Sequence, residues 1–74
     1  MQRTRRQILD YIKLNGGMRI DQLSEVLQVA PITVRAHVNV LERDQLLKGQ
    51  GHRTGRAGRP GILYYLTEQA QELF

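Results

Sequence analysis

From the N-terminus, apolar residues recur at helical spacing three times before the pattern changes. Ile8, Tyr11 and Ile12 stand at i, i+3 and i+4, the spacing that lines side chains along one stripe of a helix. Thr4 and Gln7 have the S/T-x-x-E/Q spacing of a capping box, so a first helix is expected to begin near Thr4. Gly16-Gly17 ends it, because glycine enters the left-handed conformation of a helix C-terminus without steric penalty. Met18-Arg19-Ile20 has the length of a small strand. A second helix is expected from about Ile20 to Leu27, with Leu23, Val26 and Leu27 as its buried face. Asp21 falls in its first turn, where the helix dipole favours negative charge. Gln28-Val29-Ala30 then fits a tight turn. Pro31 suits the first position of a third helix. This helix is expected to reach about Gln45, with Val34, Val38 and Leu41 turned inward.

Beyond Gln45 the helical period is lost. Leu46-Leu47-Lys48 opens an extended segment. The stretch from Gly49 to Gly61 holds five of the chain's seven glycines and one proline, the composition of a loop or hairpin tip. Ile62-Leu63-Tyr64-Tyr65-Leu66 is rich in β-branched and aromatic residues and reads as the return strand. Thr67 is placed to cap a last helix over Glu68 to Phe74. The expected fold class is therefore mainly α with a small β-hairpin. A three-helix core is followed by a two- or three-stranded wing and a C-terminal helix. With no internal repeat and no linker, residues 1–74 read as a single winged helix-turn-helix domain.

The short turn between the second and third helices carries the functional reading. Contacts of Leu23 and Leu27 with Val29, Val34 and Val38 would pin the two helices at a steep angle and leave the far side of the third one open. In a helix-turn-helix that open face enters the major groove of a duplex. With Val34 and Val38 inward, Ile32, Ala36, Asn39 and Arg43 point the opposite way, and Thr33 and Arg35 lie on the flanks. Asn39 suits adenine through N6 and N7, and Arg35 suits guanine through O6 and N7. Thr33 suits a phosphate or a base edge, and Ile32 and Ala36 suit a thymine methyl. The plainer alternative is an ordinary solvated face, but Ile32, Ala36 and Val40 make it less charged than such faces usually are. His37 either contacts phosphate or packs its ring at the rim of the core, and a lone histidine is a poor metal ligand.

Charge sharpens this picture. The chain has 74 residues, 11 of them Lys or Arg against 7 acidic, for a net charge of +4. No acidic residue occurs between Gln45 and Thr67, where Lys48, Arg53, Arg56 and Arg59 lie. Arg3, Arg5 and Arg6 form a second basic cluster. Localised positive charge of this kind suits a polyanion. Arg53, Arg56 and Arg59 recur every third position in the wing, where arginine gains from a narrow, A·T-rich minor groove. The expected partner is double-stranded DNA. The alternative is a protein-interaction module of the same fold, which would tolerate acidic residues along helix and wing.

Other classes find little support. The longest apolar run, Ile62 to Leu66, is far too short for a membrane span. There is no secretory signal, which makes the cytoplasm the default location. Without cysteine the chain has neither disulfides nor thiolate metal sites. No nucleophile-and-base pair, carboxylate pair or phosphate-binding glycine motif leads into a helix. The chain therefore reads as a non-enzyme with no cofactor and no metal. A thin 74-residue core, with Leu63, Tyr65, Leu73 and Phe74 left over, points to a homodimer. Such a dimer would set two recognition helices about 34 Å apart on one face of DNA. The chain also suits one domain of a longer regulator.

The motifs Val34-Arg35-Ala36-His37-Val38 with Leu41, Gly58-Arg59-Pro60, and Tyr64-Tyr65-Leu66-Thr67 together resemble winged-helix bacterial transcriptional regulators. The nearest likeness is the arsenic-repressor superfamily, and within it the repressors of iron–sulfur-cluster biogenesis. The resemblance covers nearly the whole chain. It implies that Arg35, Ala36 and their neighbours read DNA while the wing arginines grip the backbone or minor groove. Three departures stand out. Arg19 replaces a threonine that caps the second helix, and Gln45 replaces a glycine after the recognition helix. The cysteine-bearing sensor region is missing, so cluster sensing does not carry over.

Overall fold

A computed structural model describes residues 2–52 and 61–73. Four helices and one hairpin follow in the order α1 (Arg3–Asn15), α2 (Ile20–Leu27), α3 (Pro31–Arg43), β1 (Leu47–His52), β2 (Gly61–Leu66) and α4 (Glu68–Leu73). The expected winged helix-turn-helix architecture is present. Among the helices, the start of α1 and the end of α3 differ from expectation, each for a local cause.

The first helix starts two residues earlier than the Thr4 capping box implies. Gln2 is its N-cap, and its Oε1 accepts the Arg5 amide at 3.0 Å. An amide side chain thus satisfies one of the orphan N–H groups of the first turn, in the place expected for Thr4. At the other end Gly16 takes φ 72° and donates its N–H to the Ile12 carbonyl at 2.9 Å. Gly17, at φ 132°, is required for a second reason: a Cβ there would stand 2.7 Å from Tyr65 Cε1.

The turn between α2 and α3 is built by Ser24 and Gln28. Gln28 adopts the left-handed conformation at φ 56°. Ser24 Oγ donates to the Val29 carbonyl at 2.6 Å, while the Val29 amide donates to the Ser24 carbonyl at 3.2 Å. This closed pair fixes where α3 starts. Pro31 stands at its first position, and the Ala30 carbonyl accepts from both Thr33 and Val34 amides.

The third helix ends at Arg43 rather than near Gln45, in a complete Schellman motif. The Leu46 amide donates to Leu41 O at 2.9 Å and the Gln45 amide to Glu42 O at 3.0 Å, with Gln45 left-handed at φ 62°. Leu41 and Leu46 are both buried, which supplies the apolar contact that accompanies this motif. The departure from glycine at Gln45 is therefore a real strain and not a change of conformation.

The chain then enters β1, which pairs antiparallel with β2 in the register Leu47↔Leu66 through His52↔Gly61. Gly49 and Gly51, read from composition as loop, are strand residues. Pairing with β2 overrides their low strand propensity, and Gly49 leaves room where a Cβ would stand 3.0 Å from Ile62 and 3.1 Å from Tyr64. The small strand at Met18 shrinks to one bridge: Met18 and Tyr64 exchange both backbone bonds, at 3.1 and 2.9 Å. β2 is thus held between β1 and Met18. Thr67 caps α4 as expected, accepting the Ala70 amide at 3.1 Å and donating to Gln45 O at 2.7 Å.

One core joins these elements. Ile8, Leu9 and Ile12 of α1 meet Leu23 of α2, Val34, Val38 and Leu41 of α3, and Leu47, Tyr64 and Leu66 of the hairpin. Each fully buried aliphatic side chain contributes roughly 1.5–3 kcal/mol. Leu27 and Val29 pack against its edge as expected, but Val26 is 46% exposed and belongs to the outer side of α2. On this two-turn helix only the Leu23 side is sealed. Leu63 and Tyr65 are half-buried and Leu73 is exposed. Phe74 lies outside the described residues.

Candidate nucleic-acid interface

The core decides which side of α3 stays open. Val34 and Val38 are fully buried and Leu41 is 1% exposed. At 100° per residue, these three side chains fix the rotation of the helix about its axis. Ile32, Thr33, Arg35, Ala36, Asn39 and Arg43 are all exposed. Ile32 is 78% exposed, so an aliphatic side chain stands largely uncovered on this side. The six positions expected on α3 therefore share one open side. Arg53, Arg56 and Arg59 lie outside the described residues.

Charge on and near this side is arranged by the helix ends. Arg43 stands in the last turn of α3, where the carbonyl end of the dipole favours a cation. Tyr64 of β2, at the edge of the same face, has its phenol pushed above its usual 10.0, first by burial and then by Glu42, with Arg35 opposing. It is a neutral wall of the site at physiological pH.

His37 packs at the rim and is half-buried. Its Nδ1 accepts from Arg5 Nε at 3.3 Å. In that contact Nδ1 serves as the acceptor. The contact also ties α1 to the back of α3 across 32 residues of sequence. The half-buried ring and its contact with Arg5 agree with the packing alternative for His37.

Arg19 is the residue that sequence reasoning treated only as a departure from the family pattern. As N-cap of α2 it has no side-chain acceptor, so it performs half of a capping box: its N–H donates to Gln22 Oε1 at 3.0 Å. Its guanidinium Nε turns instead to Asp21 Oδ1 at 3.1 Å. That contact is the main cause holding the Asp21 carboxyl below its usual range. A cleft of about 460 Å³ opens beside this pair, with Pro31, Arg35, Gly61 and Tyr64 also on its walls. Among the described residues, no group of three or more His, Asp or Glu side chains is placed to hold a metal ion. No helix among them is long and apolar enough to cross a membrane.

Comparison with known proteins agrees with this geometry. A transcriptional regulator homologue from Pyrococcus horikoshii OT3 is 26% identical, with a TM-score of 0.78, over 93% of this chain and 66% of its own. A MarR-like transcriptional regulator from Thermotoga maritima is 24% identical, with a TM-score of 0.84, over 100% of this chain and 50% of its own. ZitR from Lactococcus lactis, solved in complex with DNA, is 20% identical, with a TM-score of 0.80, over 99% and 47%. The chain thus spans from about half to just under two thirds of the length of these structures. No curated protein sequence matches it. The family described as winged helix-turn-helix DNA-binding matches residues 1–48, which contain all three core helices and the turn that sets α3. The chain belongs to the winged helix-turn-helix DNA-binding family.

Proposed function

We propose that this chain is the DNA-binding domain of a transcriptional regulator that reads double-stranded DNA sequence with α3. The observation that carries the reading is the open side of α3, where Ile32, Ala36 and Asn39 stand opposite a fully buried Val34 and Val38. Asn39 and Arg35 read adenine and guanine edges, Ile32 and Ala36 meet thymine methyls, and Thr33 and Arg43 take phosphates or base edges. Arg53, Arg56 and Arg59 follow β1 in the wing and grip the backbone or the minor groove. The 74 residues act as one domain by this reading, in the cytoplasm, binding without catalysis and without a cofactor or metal. Two copies form a two-fold dimer, which the exposed Leu73 supports. The Val34-Arg35-Ala36-His37-Val38 and Tyr64-Tyr65-Leu66-Thr67 motifs favour the arsenic-repressor branch of the fold. With no cysteine in the sequence, the iron–sulfur sensing of its nearest likeness is not included.

Selection of bound sites from a random duplex library at fixed salt tests the reading. The expected product is a palindromic consensus with half-site centres about one DNA turn apart. Asn39→Ala should then relax one base position by about 1–3 kcal/mol. Arg56→Ala and Arg59→Ala should weaken all sequences alike and each lower the salt slope by about one. Failure to enrich any sequence would overturn the reading in favour of a protein-interaction module.

A further inference from the structure

We infer that the cleft beside Arg19 seats a phosphate of the DNA backbone, and that Asp21 is the counter-charge this phosphate displaces. The inference rests on the DNA-binding reading above and adds a contact from α2, outside the recognition helix and the wing.

Three observations converge. First, the cleft of about 460 Å³ is lined by two guanidinium-bearing residues, Arg19 and Arg35, against one carboxylate, Asp21. One of the two, Arg35, also belongs to the open side of α3, so the cleft adjoins the proposed groove-reading surface. A duplex lying on α3 brings its backbone past this opening. Second, Arg19 is positioned rather than loose. Its Cδ lies 3.4 Å from where a Cβ on Gly61 would stand, so its stem runs along the backbone at the start of β2. Its head is drawn to Asp21 by a contact through Nε. Third, that contact is exchangeable. The side chains of Arg19 and Asp21 are 46% and 72% exposed, and an ion pair so open to water is weak and salt-screened. A guanidinium has five N–H donors in a planar fork that matches a phosphate better than one carboxylate oxygen does. Moving Arg19 from Asp21 to a phosphate therefore gains bidentate geometry and loses little. Asp21, left facing the duplex, opposes binding, so the pair sets how tightly the domain holds DNA of any sequence.

The test is a backbone-charge scan on a duplex that the wild-type domain binds. Single methylphosphonate linkages, each removing one phosphate charge, are placed in turn along the site. One position is expected to weaken the wild type and to lose its effect in Arg19→Gln. Arg19→Gln should also lower the salt slope by about 0.9 and the affinity on the order of tenfold at 0.1 M salt. Arg19→Lys should restore the slope. Asp21→Asn should raise affinity several-fold, and that gain should vanish in the Arg19→Gln background. This variant also keeps the proposal falsifiable if Arg19→Gln does not fold, because no gain from Asp21→Asn then overturns it. Wild-type binding with an unchanged slope in folded Arg19→Gln, and no position coupled to it, overturns this inference and leaves the recognition helix untouched. Saturable uptake of inorganic phosphate without such coupling assigns the cleft to a free anion and overturns it too. Absence of salt-dependent duplex binding by the wild type removes both readings.

Discussion

Replacing Gln45 with glycine should stabilise the domain, although glycine is the more flexible residue in the unfolded chain. Gln45 holds φ 62° at the end of the recognition helix, inside a hydrogen-bonded Schellman motif with both bonds formed. An L side chain in this conformation brings its Cβ against the following carbonyl, at roughly 1–2 kcal/mol. Glycine relieves that strain but gives up roughly 0.5–1 kcal/mol through the unfolded state. The difference is about 0.5–1 kcal/mol in favour of Gln45→Gly. Nothing else should change. The Gln45 side chain is exposed, and the carbonyl that accepts from Thr67 Oγ1 belongs to the backbone. For a domain of this size the gain corresponds to a rise of roughly 2–8 °C in Tm. Urea and thermal unfolding followed by circular dichroism measure it. Gln45→Ala, which keeps a Cβ, should show no comparable gain. DNA affinity should be unaltered, since the helix already ends where glycine would end it. A glycine variant less stable than wild type, or one matched by alanine, would refute the reasoning and mean that the left-handed geometry carries no strain here.

Gly17→Ala should cost about 2 kcal/mol or more, because φ 132° is disallowed for alanine and its Cβ would meet the Tyr65 ring at 2.7 Å. Adding Tyr65→Ala should recover the clash but not the backbone strain, and a loss below about 0.5 kcal/mol for Gly17→Ala would contradict this. The raised Tyr64 phenol makes a pH prediction with a definite sign. Its folded value lies above the ordinary 10.0, so the folded state holds its proton longer than the unfolded chain does. The associated stability is complete below about pH 10 and is lost as pH climbs from there through the folded value. Urea midpoints taken between about pH 9 and 11 should fall for wild type and fall less for Tyr64→Phe; parallel curves would place the alkaline loss elsewhere.

The helical half of this fold was legible because its signals are local. Gly16 ends α1, Pro31 starts α3, and the spacing of Val34, Val38 and Leu41 fixes which side of α3 turns inward. From that rotation alone the open positions Ile32, Thr33, Arg35, Ala36, Asn39 and Arg43 follow, because helical geometry is the same in any context. Even the strain at Gln45 was visible, since a residue other than glycine in a left-handed slot is unusual on its own terms. What tertiary structure decided is every feature whose partner is distant in sequence. Gly49 and Gly51 are strand because β2 pairs with them, against their own propensity. Val26 is exposed because only one flank of α2 is covered, and Arg5 meets His37 across the helix bundle. The cleft beside Arg19 exists only where α2, α3 and β2 converge. A periodic pattern states which residues share a face, but what that face meets is set by packing between segments the pattern does not connect.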